Sequence, residues 1–361
     1  MDKIYVFSML KWDAELLHRS HMLSQAMAQS GHDVCYVEKV NTLNPLKWGS
    51  INYKEDAVDV LSIYALPYFR GWFKTIFRMN DFFIAKALRK AVKDQVAIAL
   101  VSVPHWAKAV SRIKAFENRF FYDVSDDYSA FAENPRWHEI LKAYEQHAVE
   151  QSQEIFVTID TLNEVLGEEG MIIENGVDTL SFEQAQPKAL PGRGLKIGFI
   201  GGLFSWIDFE LIVETAKAFP EDTIVLIGPT DAVATLDMMK SIDNIMYLGS
   251  IDKSEIHHYY ASLDIGIIPF LDEGSYPRLR TVNSNKVYQY LYFGYPVVST
   301  GFPQVRRLTD YISVAETHEE FIKAITDAKS GKRISIMDPE SISWSSKAKA
   351  MTDRFKEAYN D

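Results

Sequence analysis

Twice along this chain, short runs of Val, Ile, Leu and Phe alternate with stretches of helical spacing, and a segment rich in proline and glycine, Gln186–Gly194, stands between the two series. The first series holds Lys3–Phe7, Val34–Val37, Val96–Val103, Phe120–Val124 and Ile155–Ile159. The second holds Lys196–Ile200, Thr223–Ile227, Ile245–Tyr247, Ile265–Ile268 and Val297–Ser299. Continuous apolar runs fit strands covered on both faces, and helices between them fit the crossovers of a parallel sheet. Leu16–Ser30, Phe209–Ala218, Lys253–Ala261 and Lys286–Tyr292 read as such helices, with Gly31 as the stop of the first. The expected fold is α/β with two Rossmann-like domains, residues 1–180 and 195–340, and a linker at 181–194. A last segment, 341–361, carries a helix over Ser345–Tyr359. With 361 residues, each domain is large enough for its own core.

Composition narrows the classes. The chain is 47% hydrophobic and 24% charged, as globular proteins are. A net charge of −11 argues against nucleic acid as a partner. The single cysteine, Cys35, excludes a disulfide framework and suggests a reducing compartment. MDKIYVFSML does not read as a signal peptide, and no apolar run reaches the ~18 residues of a membrane span. A cytoplasmic location is expected. Met9–Asp13, after the first strand, contains no glycine, which excludes a dinucleotide-binding turn there.

The most informative motif is SNKVYQYLYFGYPVVST, Ser284–Thr300. Ser284 and Asn285 are N-cap residue types, so a helix starts here. Free N–H groups at that start, the helix dipole and the Lys286 ammonium together suit a phosphate. Gln289, one turn on, lies on the same face and suits a ribose or sugar hydroxyl. Gly201 and Gly202 follow a strand and let the backbone approach a diphosphate. Ile227-Gly228-Pro229 ends another strand at the sheet edge where open α/β sheets bind ligands. Each glycine turn is equally compatible with a tight strand-to-helix connection.

KVYQYLYFGYPVVST resembles the donor-site motif of GT-B glycosyltransferases of the GT4-like group 1 family. GHDVCYVE at Gly31–Glu38, ENGVD at Glu174–Asp178 and GFIGGLFSWIDFELI at Gly198–Ile212 fall in the order that family requires. The resemblance implies the GT-B arrangement, two Rossmann-like domains facing a central cleft with the C-terminal helix crossing back to the first. It also implies a UDP-sugar donor substrate held without metal or other cofactor by Gly201, Gly202, Gly228, Gly249, Ser250, Ile251, Asn285, Lys286 and Gln289, with Arg278 and Glu273 as further contacts. The family's usual Glu-x7-Glu pair is replaced by Thr281 and Gln289. This Lys-x-x-Gln pattern is similar to bacterial exopolysaccharide and teichuronic acid glucuronosyltransferases. The expected activity is hexosyl transfer, with glucuronate among the candidate sugars, to a lipid-linked or polysaccharide acceptor; the alternative is a catalytically silent nucleotide-sugar sensor. Retaining and inverting outcomes both stay open.

Transfer with inversion needs a base. Asp126 and Asp127 follow the Phe120–Val124 strand, and Asp123 lies within it. One of the adjacent pair suits catalysis while the other caps the next helix. His105 ends another strand, and Trp12 and Asp13 occupy the first strand-to-helix loop, which makes Asp13 a rival base.

Tyr68–Lys93 interleaves aromatics with seven basic residues and one acid, Asp81. Arg70, Trp72, Phe73, Lys74, Phe77 and Arg78 read as a surface for an anionic membrane, placing the protein on the inner face of the cell membrane. The competing reading puts the aromatics in the core.

Overall fold

The computed structural model describes residues 2–14, 17–47, 49–55, 57–68, 74–93, 95–232, 239, 241–331, 335 and 337–360. The chain divides into two compact units, 1–174 with 344–361 and 175–343. The division falls inside the ENGVD turn, earlier than the expected 180/181 boundary, and residues 181–194 belong to the second unit rather than forming a spacer. Phe182 is buried in that unit's core, and Lys188 N–H donates to Ser262 Oγ at 2.7 Å.

The first unit contains β1 (Lys3–Phe7), β2 (Val34–Asn41), β3 (Gly49–Glu55), β4 (Val58–Ala65), β5 (Ala97–Val101), β6 (Phe120–Val124), β7 (Glu154–Val157) and β8 (Met171–Ile172). They form one sheet in the order β3-β4-β2-β1-β5-β6-β7-β8, parallel except where β3 pairs antiparallel with β4. Every residue of β5 and β6 is buried, as expected of strands covered on both faces, and Asp123 is the one charged residue among them. The β3–β4 pair was not anticipated. Polar GSINYKE has no core-facing stripe, and it becomes a strand by pairing with β4 at the sheet edge.

The helix Arg19–Gln29 starts at His18, and Gly31 follows it with φ +86°. Gly31 therefore fills the expected stop. Leu16, the expected start, lies outside the described residues. The helix Trp344–Asn360 completes this unit: Phe355 packs on Phe121 and Phe156, with ring centroids 4.5 and 6.1 Å apart, and Ala348 and Met351 are buried beside it. The last helix thus returns to the first domain.

The second unit contains β9 (Lys196–Ile200), β10 (Thr223–Ile227), β11 (Ile245–Tyr247), β12 (Ile265–Ile268), β13 (Val297–Thr300) and β14 (Ser313–Ala315), all parallel, in the order β11-β10-β9-β12-β13-β14. The direction of winding reverses between β9 and β12. That reversal is where a doubly wound sheet opens a crevice at its carboxyl end.

The helix Lys74–Val92 corrects part of the membrane expectation. Phe77 is 3% exposed and stacks on Tyr68 at 4.5 Å, so it is core. Trp12, in the first strand-to-helix loop, is 5% exposed and edge-on to Tyr36 at 5.0 Å. Arg70, Trp72, Phe73 and the Lys74 side chain lie outside the described residues. The outer face of the helix carries Arg78, Met79, Phe82, Lys86, Arg89 and Lys90. Among the described residues no helix is long and apolar enough to cross a membrane.

Candidate functional site

The crevice of the second unit is made by strand divergence. β12 pairs with β9 only at Ile265↔Ile197 and Gly266↔Gly198. Beyond that point Tyr290 takes over: its hydroxyl accepts from Ile200 N–H at 2.8 Å and donates to Gly198 O at 3.3 Å. Gly266 makes room for it, because a Cβ there would press on the Tyr290 ring. A tyrosine from the helix Asn285–Phe293 thereby holds that helix beside the open end of β9.

The start of this helix is clamped from outside. Asn175 Nδ2 donates to Asn283 O at 2.7 Å, and Ser284 N–H donates to Gln304 Oε1 at 2.6 Å. Ser284 is the N-cap, but its side chain makes no capping bond. Asn285 Oδ1, in the next position, is buried without a partner. The helix start therefore keeps polar groups uncommitted, as an anion site requires.

Lys286 follows. Its side chain runs over the α-carbon of Gly201, where a Cβ would overlap Cε and Nζ. Gly201 has φ +152°, so both its backbone and this contact call for glycine. Lys286 Nζ sits 5.8 Å from the centroid of the Phe199 ring. It forms no ion pair among the described residues, and burial lowers its pKa to about 8. A cation held this way gains strongly from an incoming anion.

The neighbouring turns close against each other. Gly228 has φ +139° and abuts Gly201 O, while Gly228 N–H donates to Gly249 O at 2.8 Å. Gly201, Gly228 and Gly249 thus line adjacent strand ends, with Gly202 beside the Phe204 ring. Ser250 is exposed and Ile251 half-buried in the same loop as Gly249. Gln289 is half-buried, and its Oε1 accepts from the Tyr260 hydroxyl at 2.7 Å. Glu273 is committed differently: it accepts from Arg306, which also binds Glu316. Arg278 is exposed in the short helix Pro277–Thr281. The sequence did not foresee the roles of Gln304 and Tyr260, or the partners of Asn175 and Tyr290 within their motifs, since a bond to a residue distant in the chain leaves no local pattern.

In the first unit the carboxylates separate by environment. Asp123 is fully buried and paired with Arg19, whose Nε lies 3.0 Å from both of its oxygens. Asp127 caps the Tyr128–Phe131 turn, accepting from Ala130 N–H at 3.1 Å and Ser129 Oγ at 2.6 Å. Asp126 has one contact of this kind, from Ser125 Oγ at 3.2 Å. Burial, with added repulsion from Asp127, pushes its pKa up to about 6. Asp13 is exposed on its loop. His105 is packed against Tyr68 and Trp137, with ring centroids 5.1 and 5.6 Å away, and burial and the nearby Lys39 push its pKa down to about 3. It is neutral at physiological pH. Among the described residues no group of three or more His, Cys, Asp or Glu is arranged to hold a metal ion.

Residues 194–329, within the second unit, match the family model described as glycosyl transferases group 1. The chain is 29% identical over 183 residues to TuaH of Bacillus subtilis (strain 168), a protein assigned to teichuronic acid biosynthesis as a glycosyltransferase. That alignment covers 47% of this chain and 45% of the relative, less than half of either. The whole chain superposes on a glycosyltransferase from Rickettsia africae ESF-5 with TM-score 0.71 and 13% identity, covering 100% of this chain and 99% of the other. Anabaena Alr3699/HepE in complex with UDP gives TM-score 0.66 at 11% identity, covering 99% and 100%. The fold is GT-B, with two Rossmann-like domains.

Proposed function

We propose that this chain is a glycosyltransferase of cell-surface polysaccharide synthesis, using a UDP-sugar donor and needing no metal. The observation that carries the reading is Lys286, a cation with no ion pair among the described residues, laid across Gly201 at the open end of β9. The similarity to TuaH supports the pathway class, and the structural likeness to a UDP complex supports the nucleotide. The second unit would hold the donor: the glycine turns approach the diphosphate, and Lys286 with the adjacent helix start offsets the charge that grows as the bond from anomeric carbon to phosphate oxygen breaks. Gln289 and Asn285 contact the donor. Glucuronate remains our candidate sugar.

The first unit would supply the base. Asp126 takes the proton of the acceptor hydroxyl as its oxygen bonds to the anomeric carbon and UDP leaves. Of the candidate carboxylates, Asp123 and Asp127 are already committed to structure, and a group with pKa about 6 is matched to proton transfer near neutrality. The acceptor in this reading is a lipid-linked saccharide or polysaccharide. The exposed row Arg78, Met79, Phe82, Lys86, Arg89 and Lys90 supports peripheral attachment to an anionic membrane, with Phe77 no longer a contact.

Thermal stabilisation across a panel of nucleotide sugars tests the donor. UDP-sugars should raise Tm where GDP- and ADP-sugars do not; no stabilisation by any UDP-sugar contradicts the reading. Slow release of UDP from the stabilising sugar, with water as acceptor, separates an enzyme from a silent sensor.

A further inference from the structure

The first unit contains a second cation with no ion pair among the described residues. Lys39, near the end of β2, is 4% exposed, and its Nζ is buried without a hydrogen-bond partner. It lies 3.4 Å from the centroid of the Tyr68 ring. Phe77 stacks on that ring at 4.5 Å and 17°, so it occupies the opposite face. Beside Tyr68 sits His105, whose Nδ1 is also buried without a partner. Asp81, the carboxylate that acts on Tyr68, accepts a hydrogen bond from the Tyr144 hydroxyl at 2.7 Å and does not pair with Lys39.

These groups meet at the carboxyl end of the sheet, where Lys39 lies two residues before the end of β2, Tyr68 follows β4 and His105 follows β5. That edge is where open α/β sheets take ligands. An aromatic face can stabilise a buried ammonium, but it does not replace a counter-ion. We infer that the first unit carries a binding site for the anionic group of an acidic saccharide, with Lys39 as its cation and His105 as a neutral hydrogen-bonding partner. The ring of Trp137, 5.6 Å from His105, offers an apolar wall for the sugar's C–H face. Entry is from the side of His105, which is half-buried whereas Lys39 and Tyr68 are buried. A carboxylate and a phosphate ester share the required chemistry; a neutral sugar leaves Lys39 unpaired. Burial also lowers the Lys39 pKa to about 7, which an anion beside it reverses. That this ligand is the acceptor rests on the transferase reading; the site itself does not.

Titration calorimetry on the full chain tests it with glucuronate, glucose 1-phosphate and glucose, with UDP titrated in parallel. Wild type should bind at least one acidic sugar about tenfold or more tighter than glucose. Lys39→Met should remove that preference and leave UDP binding unchanged, whereas Lys286→Ala should do the reverse. Lys39→Arg, which keeps the charge, should retain part of the preference and stands in if Lys39→Met does not fold. Equal binding of all three sugars, binding of none, or an unchanged preference in Lys39→Met overturns the site. Loss of UDP binding alone would sink the donor reading and leave this one standing. Whichever acidic probe binds tighter identifies carboxylate or phosphate as the natural group.

Discussion

Lys286 and Gly201 share one space: the lysine stem occupies the position that a side chain on Gly201 would fill. Gly201→Ala must push Lys286 aside and also strain a backbone at φ +152°. UDP affinity should fall by about tenfold or more. Gly202→Ala meets only the ring of Phe204, a side chain able to turn, and should cost less. Calorimetry on the two variants checks the order.

The pH profile follows from two displaced groups. Asp126, pushed up to about 6, must be ionised to act as base, so kcat/KM should rise as pH passes about 6. Lys286, lowered to about 8, must be protonated to hold the diphosphate, so kcat/KM should fall as pH passes about 8. Binding an anion restores the Lys286 proton, so near pH 8 UDP binding should take up about half a proton. Calorimetry in buffers of different ionisation enthalpy measures that uptake.

The same lysine sets a stability trend. Its folded pKa lies below the unfolded one, so between about 8 and 10.5 the unfolded chain binds more protons and stability rises with pH. Lys286→Met should therefore raise Tm most below pH 8, with the gain shrinking toward pH 10.5. A gain independent of pH would mean the lysine is not desolvated.

Adjacent carboxylates should separate by phenotype. Asp126→Asn should lower kcat by about 10²–10⁴ with little change in Tm. Asp127→Ala removes a cap and should lose about 0.5–2 kcal/mol of stability while turnover stays near wild type. Asp123→Asn leaves Arg19 buried beside a neutral group and should cost about 3–5 kcal/mol. Denaturant melts together with kcat distinguish the three.

Much of this was legible in the sequence, for a physical reason. Strands such as Phe120–Val124 and Thr223–Ile227 are buried on both faces, so their composition alone declares them. Lys286 was found because a helix start, a cation and a glycine turn are local patterns. Phe77 was misread because an aromatic among basic residues looks the same whether it faces core or solvent; only packing against Tyr68 decides. The β3–β4 edge pair stayed hidden, since a polar strand is fixed by its partner rather than by its own residues. Tyr290, Tyr260 and Gln304 act across sequence separations of 90, 29 and 20 residues, where no spacing rule applies.

Titrating UDP into wild type and Lys286→Ala at pH 7 tests the central claim most directly. The account predicts saturable binding to wild type and a loss of about tenfold or more in the variant, with both chains equally folded. Undiminished affinity in Lys286→Ala, or no UDP binding to wild type, would contradict it.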